Sequence, residues 1–246
     1  MKRWWVSAPC AVALMIGMAA SLQADTAVAK ASAEDSATVV DARSVSARQA
    51  SVERMHEAAQ APSAKQAVEI ATDEILALIR SGQEYAKDDP DRFYAEVEAL
   101  MQPVMDFPRF ARSVMGVWYK QATPAQFERF SESFKWTLVR TYALALTEFY
   151  DGQIRILPEQ RRSKNPNQAT VNMEITYRDK PYSVVYAMER RNDKWGLVNI
   201  VIEGINLRLN YRSQFDSAMK GPRFDRKVEN VVNAWSNVIT AEESAS

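Results

Sequence analysis

One long amphipathic stretch, Thr123 to Gly152, constrains the fold of this chain more than any other part. Thr123 is a typical helix N-cap, Pro124 suits the first turn, and Gln126 stands where a capping box needs an amide. Large apolar residues then recur at spacings of three and four, which is one face of an α-helix: Phe127, Phe130, Phe134, Leu138, Tyr142, Ala145 and Phe149. Because aromatic side chains bury about 150–250 Å² each, other elements, or other elements and a ligand, must cover this helix.

The first 24 residues have the pattern of a secretory signal peptide. Lys2 and Arg3 precede a mostly apolar run from Val6 to Ala20, and small residues follow it. The run is shorter than the ~20 residues of a membrane span, so we interpret residues 1–24 as a cleaved signal peptide rather than as a membrane anchor. Cleavage also removes Cys10, the only cysteine, so burial alone must stabilise the exported chain.

The charge balance argues against a nucleic-acid-binding protein. The chain has 31 basic and 31 acidic residues, and the loss of Lys2 and Arg3 leaves a net charge of about −2. Proteins that bind nucleic acid instead carry a clear excess of Lys and Arg.

Composition also predicts the domain boundaries. Residues 25–63 are rich in Ala and Ser and contain no aromatic residue. Such a segment buries too little apolar surface to offset the entropy of ordering it, so we expect a disordered linker or tail. The folded domain is expected over residues 64–240, and residues 241–246 form a second tail.

Periodicity within the domain predicts an α+β fold. Three helices are expected before the central one, beginning near Ser63, Asp89 and Asp106. After Gly152 the apolar period changes to two, which is typical of half-buried strands. The alternating positions are Val171, Met173, Ile175 and Tyr177, then Tyr182, Val184, Tyr186 and Met188, with a further strand from Trp195 to Ile202. These strands form an antiparallel meander with one face toward the helices, and a helix from Ile205 to Met219 and a last helix follow.

No catalytic or metal-binding pattern is present in the domain. From Ala64 onward the chain has neither cysteine nor histidine, which excludes Cys-His pairs, Ser-His-Asp triads and the usual zinc sites. Four carboxylates lie beside apolar runs and remain candidates for a general acid or base: Asp106, Glu148, Asp151 and Glu203. Each carboxylate is also typical of a helix cap, a turn or a solvated strand end, and we favour that structural interpretation for all four.

Basic residues are predicted to form a rim that meets an anionic head group or an acidic partner. The candidates are Arg190, Arg208 and Arg212. The alternative is that they are solvated side chains on loops and on a helix face.

Several motifs, in their order along the chain, resemble the toluene-tolerance / MlaC family. They run from Asp106-Phe107 through Val114–Lys120 to Ala122–Gln126, and a later run, VNIVIEGINLRLNYRSQF, spans Val198 to Phe215. The resemblance covers roughly residues 64–240. One departure is Asn206, where family members often carry Ser.

The resemblance implies an NTF2-like architecture, in which a curved antiparallel sheet and helices enclose an apolar pocket for acyl chains. It implies a periplasmic phospholipid carrier that maintains outer-membrane lipid asymmetry and solvent tolerance, without catalysis, metal or cofactor. The implied partners are a MlaD-type component of an inner-membrane ABC transporter and an outer-membrane MlaA-type lipoprotein with a porin. An NTF2-like enzyme acting on a hydrophobic small molecule and an adaptor with a solid core remain alternatives.

A carrier of this kind needs apolar walls from the helices and from the inward face of the sheet. The predicted lipid-contacting residues are Phe107, Phe110, Val114, Met115, Trp118, Tyr119, Phe130, Phe134, Tyr142, Leu146, Val171, Met173, Ile175, Tyr186, Met188, Ile200, Ile202, Ile205 and Tyr211. Each position taken singly is equally typical of plain core packing.

Overall fold

A computed structural model describes residues 34–147, 151–158 and 163–243. The chain divides into two units, residues 1–50 and 51–246. Over the described ranges the helices are α1 (Glu34–Ala59), α2 (Ala64–Gly82), α3 (Pro90–Met101), α4 (Phe107–Met115), α5 (Pro124–Thr147), α6 (Leu207–Lys220) and α7 (Val228–Glu243). Short 3-10 helices span Gly116–Gln121 and Pro222–Phe224. The strands are β1 (Gln153–Ile156), β2 (Gln168–Tyr177), β3 (Lys180–Arg191), β4 (Lys194–Ile202) and β5 (Ile205–Asn206).

The five strands form one antiparallel sheet in the order β1-β2-β3-β4-β5, which confirms the predicted meander and the α+β class. Tyr186 pairs with Val171 on one side and with Ile200 on the other, so these three side chains share one face. Further along, Ala187 pairs with Asn199 while Met188 pairs with Leu197, and this register shift is a β-bulge. A bulge bends its strand and increases the local twist.

The central helix begins as predicted. Gln126 donates its backbone N–H to Thr123 Oγ1 at 3.2 Å, and Thr123 donates its own to Gln126 Oε1 at 2.9 Å. This reciprocal pair is a capping box, and it satisfies two backbone donors that the first turn leaves without partners. The helix extends to Thr147, and residues 148–150 lie outside the described residues. Asp151 and Gly152, where the stretch is predicted to end, come just before β1, and Asp151 lies in a turn.

Helices α4 to α7 enclose an aromatic core. Phe130 stacks on Phe134 with ring centroids 5.7 Å apart, and it meets Phe215 at 5.0 Å and Trp235 at 5.3 Å, both edge to face. Phe110 meets Phe134 edge to face at 5.5 Å. Because Phe130, Phe134 and Phe215 are completely buried, this part of the interior is filled by the protein's own rings.

The structure differs from the expected linker at residues 51–62. Helix α1 extends to Ala59, and Met55, Ala58 and Ala59 are buried in one cluster with Leu100 of α3. The spacing of these three positions makes a narrow apolar stripe, and the two alanines are small enough for α1 to approach closely. The stripe is too short to stand out in a polar, Ala-rich sequence. The predicted signal peptide and residues 25–33 lie outside the described residues.

No helix in the described part of the chain is both long enough and apolar enough to cross a membrane.

Candidate functional site

The candidate site lies on the sheet face toward α2. Buried residues of α2, of the segment before it and of three strands form one apolar cluster: Ala61, Ala64, Ala67, Val68, Val171, Met173, Val184, Met188, Trp195 and Leu197. Hydrophobic residues that keep some accessible surface pack around it: Ile70, Met101, Ile154, Ile156, Ala169, Ile175, Tyr186 and Ile200. The centre of the cluster is therefore fully covered, whereas the residues packed around that centre are covered incompletely.

Tyr186 shows how completely this face of the sheet is covered. Burial raises the pKa of Tyr186 to about 12, so its hydroxyl lies deep in the protein. The residue nevertheless keeps intermediate accessibility, as does its pairing partner Ile200 on β4, and as does Ile175 further along β2. Packed neighbours therefore do not close off Tyr186 and Ile200 completely.

The structure separates the predicted lipid-contacting residues into three groups. Those buried to at least nine-tenths on the helical side are Phe107, Phe110, Val114, Met115, Phe130, Phe134 and Tyr211. Those in or packed against the sheet cluster are Val171, Met173, Ile175, Tyr186, Met188 and Ile200. The rest are partly exposed at other positions: Trp118, Tyr119, Tyr142, Leu146, Ile202 and Ile205. Within the sheet group, Val171, Met173 and Met188 are buried, whereas Ile175, Tyr186 and Ile200 keep accessible surface.

Two buried tyrosine hydroxyls face each other where α5 meets α6. Tyr142 Oη lies 3.4 Å from Tyr211 Oη. Burial raises the pKa of Tyr142, and burial together with the neighbouring hydroxyl raises that of Tyr211 further. Both groups are therefore neutral near pH 7 and unsuited to act as general bases.

Two of the four carboxylates considered for catalysis serve as backbone acceptors. Asp106 caps α4 by accepting the N–H of Arg109 at 2.9 Å, and Glu203 accepts the N–H of Ser183. Asp151 is exposed in a turn, and Glu148 lies outside the described residues. Among the residues that the structure describes, no group of acidic, His or Cys side chains is placed to bind a metal.

The predicted basic rim is only partly brought together. Arg208 lines a cleft of about 690 Å³ between the α4–Gln121 region and the ends of β2 and β3. Arg212, one turn further along α6, packs against Gly116, whose positive φ of 57° suits glycine. Arg190 instead lies over the Trp195 ring at 6.0 Å and near Asp193. Sequence reasoning missed Arg112 and Lys120, which also line this cleft.

Comparison with known proteins identifies the family. The family model described as MlaC protein matches residues 69–236. The chain belongs to the MlaC family.

Individual MlaC-related proteins agree with this assignment. The chain is 30% identical over 191 residues to toluene tolerance protein ttg2D of Pseudomonas putida, covering 77% of this chain and 86% of that protein. It is 24% identical over 141 residues to the intermembrane phospholipid transport system binding protein MlaC of Haemophilus influenzae, covering 56% of this chain and 65% of that protein.

A solved structure shares the MlaC fold. It is a phospholipid-binding protein from Ralstonia solanacearum in complex with a phospholipid, and the two match with a TM-score of 0.64 at 24% identity. The match covers 71% of this chain and 95% of that one. It agrees with the predicted NTF2-like α+β class, with its open antiparallel sheet.

The residue at position 206, where this chain departs from the MlaC family pattern, still caps a helix. Asn206 caps α6 by accepting the backbone N–H of Leu209 at 3.0 Å. Ser and Asn are both among the preferred N-cap residues, so an exchange between them preserves the start of α6.

Proposed function

We propose that this protein is a non-catalytic phospholipid carrier of the periplasm, which holds acyl chains against the sheet face toward α2. Membership of the MlaC family supports the class of function. The name of the similar Haemophilus protein and the phospholipid in the similar Ralstonia structure support the ligand. The signal-peptide pattern in residues 1–24 supports export.

The observation that carries this proposal is the apolar sheet face toward α2, on which Tyr186 and Ile200 keep accessible surface. Two acyl chains of some 30 CH₂ groups, at ~0.8 kcal/mol each, represent about 25 kcal/mol of unfavourable exposure to water. A shallow surface groove leaves most of that surface wet, so a carrier has to enclose the chains. We infer that the chains lie beside Tyr186 and Ile200, where this face keeps accessible surface.

Enclosure also dictates how lipid is exchanged. Because release into water is so unfavourable, transfer takes place against a docked partner while part of the wall opens. We assign as partners a MlaD-type component of an inner-membrane ABC transporter and an outer-membrane MlaA-type lipoprotein with a porin, as in the family. In this role the protein contributes to the lipid asymmetry of the outer membrane and to solvent tolerance.

Lipid mass spectrometry on natively purified protein tests the proposal. We expect stoichiometric phospholipid in the wild type and a marked loss in Ile200→Trp, because the indole fills the space beside Tyr186. Val201→Trp is the matched control, since Val201 is the next residue of β4 and points to the opposite face. Its lipid content is expected to equal that of the wild type, and circular dichroism verifies that both variants are folded.

Two results would contradict the carrier function. Lipid-free wild-type protein with side chains in contact across the sheet cluster would favour an adaptor with a solid core. Equal lipid loss in the two Trp variants would show that the sheet face toward α2 is not the site.

A further inference from the structure

Two large apolar side chains protrude into solvent from neighbouring helical elements. Val117, in the 3-10 helix after α4, is 65% exposed, and Leu209, in the first turn of α6, is 52% exposed. Elsewhere in the described part of the chain, Val45 is the one other large hydrophobic residue that is exposed. Single apolar residues on a surface need no explanation, so what matters is whether Val117 and Leu209 belong to one surface.

The contact between the 3-10 helix and α6 brings the two residues to the same surface. Trp118 donates its indole N–H to Asp216 of α6 at 2.9 Å, and Val117 directly precedes it. On α6, Leu209, Arg212 and Asp216 follow one another at spacings of three and four, so they share one face of the helix. Val117 and Leu209 therefore both border the line along which the two elements meet.

A cation accompanies each of these apolar residues. Residues three apart eclipse one another in a 3-10 helix, so Lys120 lies on the same side as Val117. Residues three apart are also neighbours on an α-helix, so Arg212 lies beside Leu209. Both basic residues are exposed. We call Val117, Lys120, Leu209 and Arg212 the amphipathic patch.

The positive charge of the amphipathic patch is not balanced by the protein. Within the described residues, no carboxylate lies at ion-pair distance from Lys120, Arg212 or the neighbouring Arg208. Asp216, on the same face of α6, is already paired with Lys220 at 2.7 Å. Since the chain without residues 1–24 carries a net charge of about −2, this excess is local, and it favours a negatively charged surface opposite the patch.

The residue types of the patch fit an anionic lipid bilayer better than a protein partner. Protein interfaces are anchored by aromatic residues that fill pockets, and lysine is depleted in them. Aliphatic side chains that protrude between cations suit the boundary between lipid head groups and acyl chains, which is fluid and needs no matching pocket. Trp118, which keeps accessible surface beside Val117, is a residue type enriched at that boundary.

We propose that the amphipathic patch docks the protein on bilayers that contain anionic phospholipids. Val117 and Leu209 enter the head-group region, and Lys120 and Arg212 lie among the lipid phosphates. Because only two aliphatic side chains enter the bilayer, the association is weak and readily reversed. The inference concerns the surface that meets a membrane, and it does not depend on whether the protein carries lipid.

Sedimentation with vesicles tests the docking. The protein without residues 1–24 is mixed with vesicles of phosphatidylcholine alone, or of equal parts phosphatidylcholine and phosphatidylglycerol, at ~50 mM salt. We expect the partition coefficient to be at least roughly tenfold higher on the anionic vesicles, and to fall several-fold at ~500 mM salt because salt screens the attraction. In Leu209→Gln and, separately, in Lys120→Gln, we expect a decrease of about fivefold on the anionic vesicles.

Lys180→Gln is the matched control for the loss of charge. Lys180 is also exposed, and it begins β3, whereas Glu189, which lines the same cleft as Lys120, lies near the other end of that strand. Nine residues at about 3.3 Å each separate the two ends by roughly 30 Å. We expect Lys180→Gln to partition within about twofold of the wild type. Circular dichroism verifies that all variants are folded.

Ile200→Trp separates docking from lipid uptake. This variant is expected to lose bound lipid and still to partition onto anionic vesicles as the wild type does. A loss of partition in Ile200→Trp as large as that in Leu209→Gln would attribute the association to lipid uptake and would overturn the docking. Lipid-free wild-type protein that still binds vesicles through Leu209 would overturn the carrier function and support the docking.

Three other results would also overturn the docking. They are equal binding to neutral and anionic vesicles, equal effects of Lys120→Gln and Lys180→Gln, and no vesicle binding at all. In the last case, light scattering identifies the occupant. Self-association that Leu209→Gln abolishes would assign the patch to a contact between two copies of the chain, and a monomer would leave it to an acidic protein.

Discussion

Arg54 of α1 holds the buried carboxylate of Glu74 of α2 in a two-point ion pair. Arg54 Nη2 lies 2.9 Å from Glu74 Oε2, and Arg54 Nε donates to Oε1. The Glu74 side chain is only 7% exposed, whereas that of Arg54 is 51% exposed. Arg54 lies outside residues 69–236, the region that matches the family model, and Glu74 lies inside it. A residue outside the family-matched region therefore neutralises a charge inside it.

We predict that Arg54→Met destabilises the protein by about 1–3 kcal/mol, because it leaves a buried carboxylate without its partner. Urea unfolding at pH 7 measures the change in the free energy of unfolding. The control is Lys65→Met, which breaks the exposed pair of Lys65 with Glu69 and is expected to change stability by less than about 0.5 kcal/mol. Equal effects of the two substitutions would contradict the role assigned to Glu74.

The same pair predicts a change in pH dependence. Burial alone raises the pKa of Glu74, but hydrogen bonds from Arg54 and Ser51 outweigh it and hold the pKa below its usual range. In the wild type, Glu74 thus contributes stability above its unfolded pKa, and this is lost as the pH falls through the lower folded pKa.

In Arg54→Met, burial is no longer opposed by the ion pair and the pKa of Glu74 rises above its unfolded value. The variant then loses stability as the pH increases toward 7, so the difference from the wild type shrinks between pH 7 and pH 5. Urea unfolding at the two pH values checks this. A difference that is constant, or larger at pH 5, would show that Glu74 is not the titrating group.

Truncation of two apolar residues distinguishes a close-packed part of the protein from an incompletely covered part. Phe130→Ala removes a ring from the close-packed aromatic core and is expected to destabilise the protein by about 3–5 kcal/mol. Ile200 keeps accessible surface, so we expect Ile200→Ala to cost about 1 kcal/mol, below the usual range for a buried Ile. Urea unfolding of lipid-free protein measures both. Similar losses would indicate that Ile200 is packed as tightly as Phe130.

Gly82 is predicted to resist replacement by alanine although it lies in a helix. A Cβ at this position would lie 2.4 Å from Cε2 of Phe93, whose side chain is completely buried. Relief of such a clash costs about 1–3 kcal/mol, against a gain of roughly 1 kcal/mol in helix propensity. Gly82→Ala should therefore lower the melting temperature. Phe93→Leu in the same background should recover part of the loss, whereas a melting temperature raised by Gly82→Ala alone would contradict the clash.

The features that the sequence predicted well are set by neighbours along the chain. The capping box of Thr123 and Gln126 needs only residues three apart, and it formed as expected. The alternation from Val171 to Tyr177 predicted a strand because inward and outward positions follow a period of two. Such rules act within one element, so a single sequence suffices to apply them.

The features that were missed depend on contacts between distant segments. Met55 is buried because α2 and α3 happen to lie beside it, and nothing in its own neighbourhood requires this. The cleft of about 690 Å³ that Arg208 lines is also lined by Arg112 and Lys120, which lie on either side of Gly116. The sequence pointed to Arg208 but not to the other two, since their convergence is a property of the packed helices.

The packing of Met55, Ala58 and Ala59 against α3 sets where this protein can be trimmed. A recombinant fragment cut back to the start of the family-matched region would lose the ion-pair partner of Glu74 and uncover Leu100 and Val104. Such a fragment would expose an apolar patch beside an unpaired carboxylate, and would be prone to aggregate during expression. A recombinant fragment that is to stay folded and soluble should therefore begin upstream of Ser51.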